Sequence, residues 1–175
     1  MYVPFDEMNP ESRIWIYTAD RTITTEEAEV IIDILEEYLN NWKSPNGMSF
    51  PSSAKVLENW FVIIVVDTTS VIDQYRIGPV DGFVFLFKEI SKLTDIDFFH
   101  KPLLNYLDNY NQVQAISLFE IKQAVTDQII TPDTIIIDHV RAEQKSHLFE
   151  FERWKVRAAD SWLSHYFQPQ TNVNE

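Results

Sequence analysis

The chain has 175 residues, 45% of them hydrophobic and 14% aromatic, and its 27 acidic and 14 basic side chains give a net charge of −13. That length suits one ordinary domain, whose folding buries roughly 70% of the unfolded surface, and so rich an aromatic content excludes disorder. Three glycines and no cysteine exclude more: phosphate-cradling loops need glycine for close backbone approach, while disulfides, thiol catalysis and cysteine zinc sites need sulfur.

Ser12–Thr18 alternates, with Ile14 and Ile16 on one face and Trp15 and Tyr17 on the other, which predicts a strand. Thr24 followed by Glu27 forms a capping box. From there Ala28, Ile31, Ile32, Leu35, Leu39 and Trp42 keep helical spacing, and acids fill the opposite face. Lys43–Ser53, with Pro45, Gly47 and Pro51, reads as a loop. Ala54–Glu58 and Trp60–Val66 read as a strand pair, the second apolar throughout, as a central strand covered on both faces should be. Thr68–Val80 is irregular, and Asp81–Leu93 reads as a deeply buried helix with Val84, Phe87 and Ile90 in register. A short strand at Leu103–Leu107 precedes a polar loop, Asp108–Gln114. Ser117 and Glu120 form a second capping box for a helix reaching about Gln128. Thr131-Pro132-Asp133 is a turn, Thr134–Val140 a β-branched strand, and Arg141–His147 a polar turn. Leu148–Val156 reads as a last strand and Ala158–Phe167 as a short helix.

This order predicts an α+β fold: one globular domain over residues 1–167, a mixed β-sheet with about four helices packed on it, and a flexible tail at 168–175. Two adjacent strands around Asn59 argue for a hairpin and against a doubly wound parallel sheet.

The charge is uneven. Residues 141–175 carry five acids and five bases, so the excess lies in residues 1–139, with 22 acids against nine bases. A surface of that sign repels phosphate backbones, so no nucleic-acid partner is expected. The longest apolar run, Trp60–Val66, falls far short of the roughly 20 residues that span a bilayer. The first residues, Met1 to Glu7, have neither a basic nor an apolar leader region. A cytoplasmic location without membrane insertion is expected.

Few side chains form a complete chemical constellation. Asp67 ends the apolar strand, where carboxylates serve catalysis or cap loops, and Asp73 and Asp81 stand on the segment that follows. Asp138-His139 is the best acid–imidazole pair, but strand neighbours face opposite ways, so His139 needs a partner from elsewhere or simply ends the strand. His100, His147 and His165 lack metal-ligand spacing, and the Asp95, Asp97 pair lacks calcium-loop spacing. Asp160-Ser161 with Ser164-His165 lacks a nucleophile elbow and reads as a helix cap. Arg153, Trp154, Arg157 and Trp162, with Lys155, form a basic aromatic segment of the kind enriched at protein–protein hot spots; the alternative is that both tryptophans pack inward.

Met1-Tyr2-Val3-Pro4-Phe5, Ser12-Arg13-Ile14-Trp15-Ile16-Tyr17, Asp97-Phe98-Phe99, Ile130-Thr131-Pro132-Asp133-Thr134 and Asp160-Ser161-Trp162 resemble, in order, segments of a family of short uncharacterised Bacteroidetes proteins often labelled "ABC transporter ATPase". The resemblance implies a single-domain protein. It does not carry the label's activity, because an ATPase of that class needs G-x-x-x-x-G-K-[ST], and none of Gly47, Gly78 and Gly82 stands in that context. The family pattern implies Cys-Ser-Ile-Asp before the second helix, where this chain has Gly78-Pro79-Val80-Asp81: the acid persists and the thiol does not.

The expected function is that of a non-enzymatic binding protein that engages a protein partner or a second copy of itself, with no cofactor and no metal. The alternative is a small metal-dependent hydrolase or small-molecule-binding protein using Asp67, Asp81 and His139.

Overall fold

The computed structural model describes residues 1–43, 47–69, 81–139 and 150–168, and of Asp81 the backbone alone. Within the span expected as one domain, backbone contacts divide the chain into two compact units: Met1–His100 with Glu143–Phe149, and Lys101–Ala142 with Glu150–Glu175. The expected loop at Gly78–Asp81, the polar turn Arg141–His147 and all of the tail but Gln168 lie outside the described residues or at their margin.

The first unit is built on an antiparallel sheet of β1 (Arg13–Thr18), β2 (Ser52–Leu57) and β3 (Phe61–Val66) in the order β1-β3-β2. All six β3 side chains are buried, as a continuous apolar run at the sheet centre requires. The β2–β3 turn passes through Glu58 and Asn59, with φ of 51° and 58°, and Trp60 N donates to Leu57 O at 3.1 Å. Two successive left-handed residues match the hand of a twisted hairpin. Asn adopts this conformation readily; Glu58 does so at a steric cost.

Helix α1 (Thr25–Asn41) starts on the predicted box: Thr24 Oγ1 accepts from Glu27 N at 3.2 Å, and Glu27 Oε2 accepts from Thr24 N at 2.9 Å. It buries Ile31, Leu35 and Leu39. Helix α2 (Asp81–Thr94) buries Phe83, Phe87 and Ile90. Both helices pack on the sheet face formed by Trp15, Tyr17, Ala54, Val62, Ile64 and Val66. Tyr17 stacks on Phe87 with centroids 3.6 Å apart, and Trp15 meets Phe83 edge-on at 5.1 Å. Arg21 ties the entry to α1 to the end of α2: its guanidinium donates to both Glu27 oxygens and to Thr94 O.

The second unit holds an antiparallel sheet of β4 (Leu103–Leu107), β5 (Val113–Ser117), β6 (Ile135–Ile137) and β7 (Lys155–Arg157) in the order β5-β4-β6-β7. β4 and β5 pair along five positions, whereas β4 and β6 meet only at Tyr106↔Ile136. Helix α3 (Ile121–Thr126) packs Ile121 and Ala124 with Leu104, Ile130, Ile136 and Leu163 into the unit's core.

The α+β class holds. Among the described residues, two antiparallel sheets stand in place of one mixed sheet, with three α-helices and short 3-10 turns where about four helices were expected. The loop expected at Asp108–Gln114 ends early, because Val113–Ser117 pairs with β4. Ser117 accepts from Phe119 N at the start of a 3-10 turn, and no reciprocal Glu120 bond accompanies it. The strand expected over Leu148–Val156 contains a 3-10 turn, Phe151–Trp154, with β7 following it. The last helix is broken at Ser161, whose extended backbone separates two 3-10 turns and whose hydroxyl donates to Ala158 O and accepts from Leu163 N. No helix among the described residues is long and apolar enough to cross a membrane.

Candidate functional site

β4 and β6 pair at one position, Tyr106↔Ile136, and Tyr106, Leu107 and Ile135 at the end of that pairing line a common cleft of about 510 Å³. One wall is the β4–β5 hairpin with Asp108, Asn109 and Asn111; the other is the α3–β6 connection with Gln128, Ile129 and Thr131.

Both walls are fixed by local hydrogen bonds. Asp108 Oδ1 accepts from Tyr110 N at 2.8 Å and Gln112 N at 3.0 Å, and its Oδ2 accepts from Gln114 Nε2 at 3.1 Å. These bonds, the one from the Gln112 amide first, hold the Asp108 carboxyl below the usual range. Asn111 closes the hairpin with φ 58°. On the facing wall Gln128 takes φ 60°, ending α3 where glycine usually would, and Ile129 N and Ile130 N both donate to Ala124 O. Thr131 N donates to Thr134 Oγ1 at 2.8 Å. Asp133 at the cleft's edge accepts from Arg157 Nη2 at 2.6 Å. Burial, with the Asp108 charge second, pushes the Tyr106 hydroxyl up.

The lining is largely polar, with Ile129 in it 49% exposed; Tyr110, next in sequence to the lining residues Asn109 and Asn111, is 85% exposed. Neither was a candidate from the sequence. The only signal for them was position: an aromatic at the tip of a polar loop, and an isoleucine just after a helix end.

The sequence candidates fall in different parts of the chain. Asp67 follows β3, and its Oδ1 accepts from Thr69 N at 2.9 Å and from Thr69 Oγ1 at 2.7 Å, the geometry of a loop cap. The Asp81 side chain lies outside the described residues. His139 is exposed after β6, in the second unit, while Asp67 belongs to the first. Among the described residues no three His, Asp or Glu side chains gather closely enough to hold a metal.

The basic aromatic segment divides. Trp154 is fully buried, with the Phe151 ring edge-on at 5.4 Å. Trp162 is 50% exposed at the start of the last 3-10 turn. Arg153 pairs with Glu150, and Arg157 pairs with Asp133 and lies 3.6 Å from Asp160. Arg157 thus joins this segment to the cleft. His165 Nδ1 lies 2.7 Å from Trp162 O, and Ser161 is occupied as a cap, so they form no catalytic group with Ser164.

Comparison with family models, with curated proteins and with solved structures finds no match to this chain.

Proposed function

We propose that the chain is a non-enzymatic binding domain that engages a protein surface, a partner's or that of a second copy, through the cleft between β4 and β6. One observation carries this reading: two left-handed, non-glycine residues, Asn111 and Gln128, line the same cleft, with the exposed Ile129 in its lining and the exposed Tyr110 in the adjoining hairpin turn. Asn111 adopts this backbone readily, but Gln128 holds it at a steric cost, and such strain persists only where surrounding contacts impose it, concentrating at binding and catalytic sites. The carboxylates here are engaged, Asp108 by three donors and Asp133 by Arg157, so the cleft offers a hydrogen-bonded shape and no free acid–base pair. A family label that names an ATPase finds no support in this chemistry, and neither does a hydrolase built on Asp67, Asp81 and His139.

The test is a photo-crosslinking amino acid at position 110 in cells producing the chain, together with sedimentation velocity over a hundredfold concentration range. Discrete adducts or a concentration-dependent assembly, either of them lost in Ile129→Ser, bear the reading out. A monomer at every concentration with no discrete adduct overturns it.

A further inference from the structure

The order β1-β3-β2 leaves β2 with one strand neighbour among the described residues. Ser52 turns its backbone groups away from β3: its N–H donates to Met1 O at 3.0 Å and its C=O accepts from Val3 N at 2.9 Å. Backbone alternation turns Ala54 and Val56 outward as well. The chain's own first residues occupy only the start of this edge. The Tyr2 hydroxyl reaches Ala54 O at 3.2 Å, and after Pro4 the chain enters a 3-10 turn, Phe5–Glu7, that stays near β2, with Phe5 against Lys55 on the other sheet face. Past that point the Val56 edge borders a groove of about 410 Å³.

The far wall of the groove is the flank of α1. Ala28 and Ile32 are half-buried there, and Glu29 and Asp33 stand exposed on the rim. The helix has six acids and no Lys or Arg. Arg21 neutralises Glu27; Glu29 and Asp33 have no such partner among the described residues.

We propose that this edge and helix flank form a strand-addition site for an extended, lysine- or arginine-bearing segment of a partner protein. A strand laid beside the end of β2 meets the outward N–H of Ala54 and the outward N–H and C=O of Val56, at the spacing of its own backbone. Its side chains on the helix side fall on Ala28 and Ile32. A lysine or arginine stem covers those apolar atoms while its cationic head reaches Glu29 or Asp33. An acidic segment meets repulsion from the same helix, so charge selects the occupant. The devices that usually blunt an exposed edge are engaged otherwise here: Lys55 borders the groove but carries its ammonium over the Phe5 ring, and Pro4 lies on the N-terminal segment and not on β2.

The test is a titration of the ¹⁵N-labelled chain with a blocked hexapeptide alternating valine and lysine. Two control peptides replace lysine by glutamate, or N-methylate alternate amides. Amide shifts centred on Ala54–Leu57, with binding at least tenfold weaker for both controls and for the Glu29→Lys/Asp33→Lys double variant, bear the proposal out. Both substitutions are on the exposed helix surface, and the free variant's spectrum confirms its fold. Shifts centred elsewhere, equal binding of the glutamate peptide, or no binding of the lysine peptide overturns it. Undiminished binding of the N-methylated peptide also overturns it, in favour of charge attraction alone. The Ile129→Ser change used to test the cleft leaves this titration unchanged, so the two readings fail separately.

Discussion

The two units reach order by opposite routes. The first uses long elements and large side chains: a 17-residue helix, a six-residue strand buried throughout, Tyr17 stacked on Phe87, and Phe83 against the Tyr38 ring. The second uses a six-residue helix, two three-residue strands and several 3-10 turns, and pins its loops with Asp108, Thr134, Ser161 and the Arg157–Asp133 pair. Apolar burial is non-directional and scales with area, so the first unit tolerates an open edge on its sheet. Hydrogen-bonded loops are directional, so the second unit holds a shaped cleft at a place where two of its strands pair at one position. Each candidate surface is thus a by-product of how its unit is held together.

The sharpest way to break the comparison is at Phe87, fully buried between α2 and the sheet. Phe87→Ala is expected to cost about 3–5 kcal/mol in chemical denaturation. Hydrogen exchange should accelerate in β1, β3, α1 and α2, while amides of β4 and β6, which belong to a separate core, keep their protection. Equal loss in both units would mean that they unfold as one and that the contrast is only architectural.

The capping box is the next lever. Thr24→Ala is expected to cost about 1 kcal/mol. Glu27 makes the same locus sensitive to acid: its bonds to Arg21, then to the Thr24 amide, lower its carboxyl from 4.5 to about 2. A carboxyl depressed in the folded state contributes stability above its ordinary pKa and loses it as pH falls toward about 2. Denaturation midpoints should therefore drop across that window in the native chain and drop less in Glu27→Gln, which keeps an acceptor for the Thr24 amide but loses the ion pair.

The contrast between units also accounts for what could be read in advance. Elements whose cause is local were legible: the Thr24–Glu27 box, the apolar β3, and the turn near Asn59 all carry their signal within a few residues. β5 was not, because Val113-Gln114-Ala115-Ile116-Ser117 mixes polar and apolar residues and becomes a strand by pairing with β4. The C-terminal segment misled for a similar reason: its aromatics keep helical spacing, yet Ser161 bonds to neighbouring backbone and divides it. The cleft was illegible because it is a gap between strands 30 residues apart. Of its features only Arg157 was among the candidates, and Trp154 from the same segment is in the core. Scarcity of glycine, so useful for excluding phosphate loops, hid other turns: among the described residues Asp95, Asn111 and Gln128 also hold left-handed positions.

Asp108 tests the second unit's mode of stabilisation with a smaller, more local effect. Asp108→Ala removes the acceptor of the Tyr110 and Gln112 amides and of the Gln114 side chain. Exchange should accelerate at those two amides and along β5, with α1 and β3 unaffected. Because hydrogen bonding depresses this carboxyl, the native chain should show the same loosening as pH falls below the ordinary carboxylate range, and the variant should show no such dependence. A hairpin that stays protected in the variant would mean that strand pairing alone sets its shape.

The smallest effect is expected where the two helices of the first unit approach most closely. A Cβ added at Gly82 would lie 2.5 Å from the Tyr38 hydroxyl oxygen, so Gly82→Ala forces that ring to move. Alanine gains at most about 1 kcal/mol over glycine within a helix, which offsets much of the displacement. Net stability should shift little, and the informative readout is Tyr38 itself. Burial holds its hydroxyl above the usual 10.0 in the native chain. A ring pushed outward recovers solvation, so its ultraviolet titration should fall back toward that value. An unchanged titration with a gain in stability would show that the ring yields without leaving its site. The tight contact would then be adjustable packing, and the first unit less rigid than its buried aromatics imply.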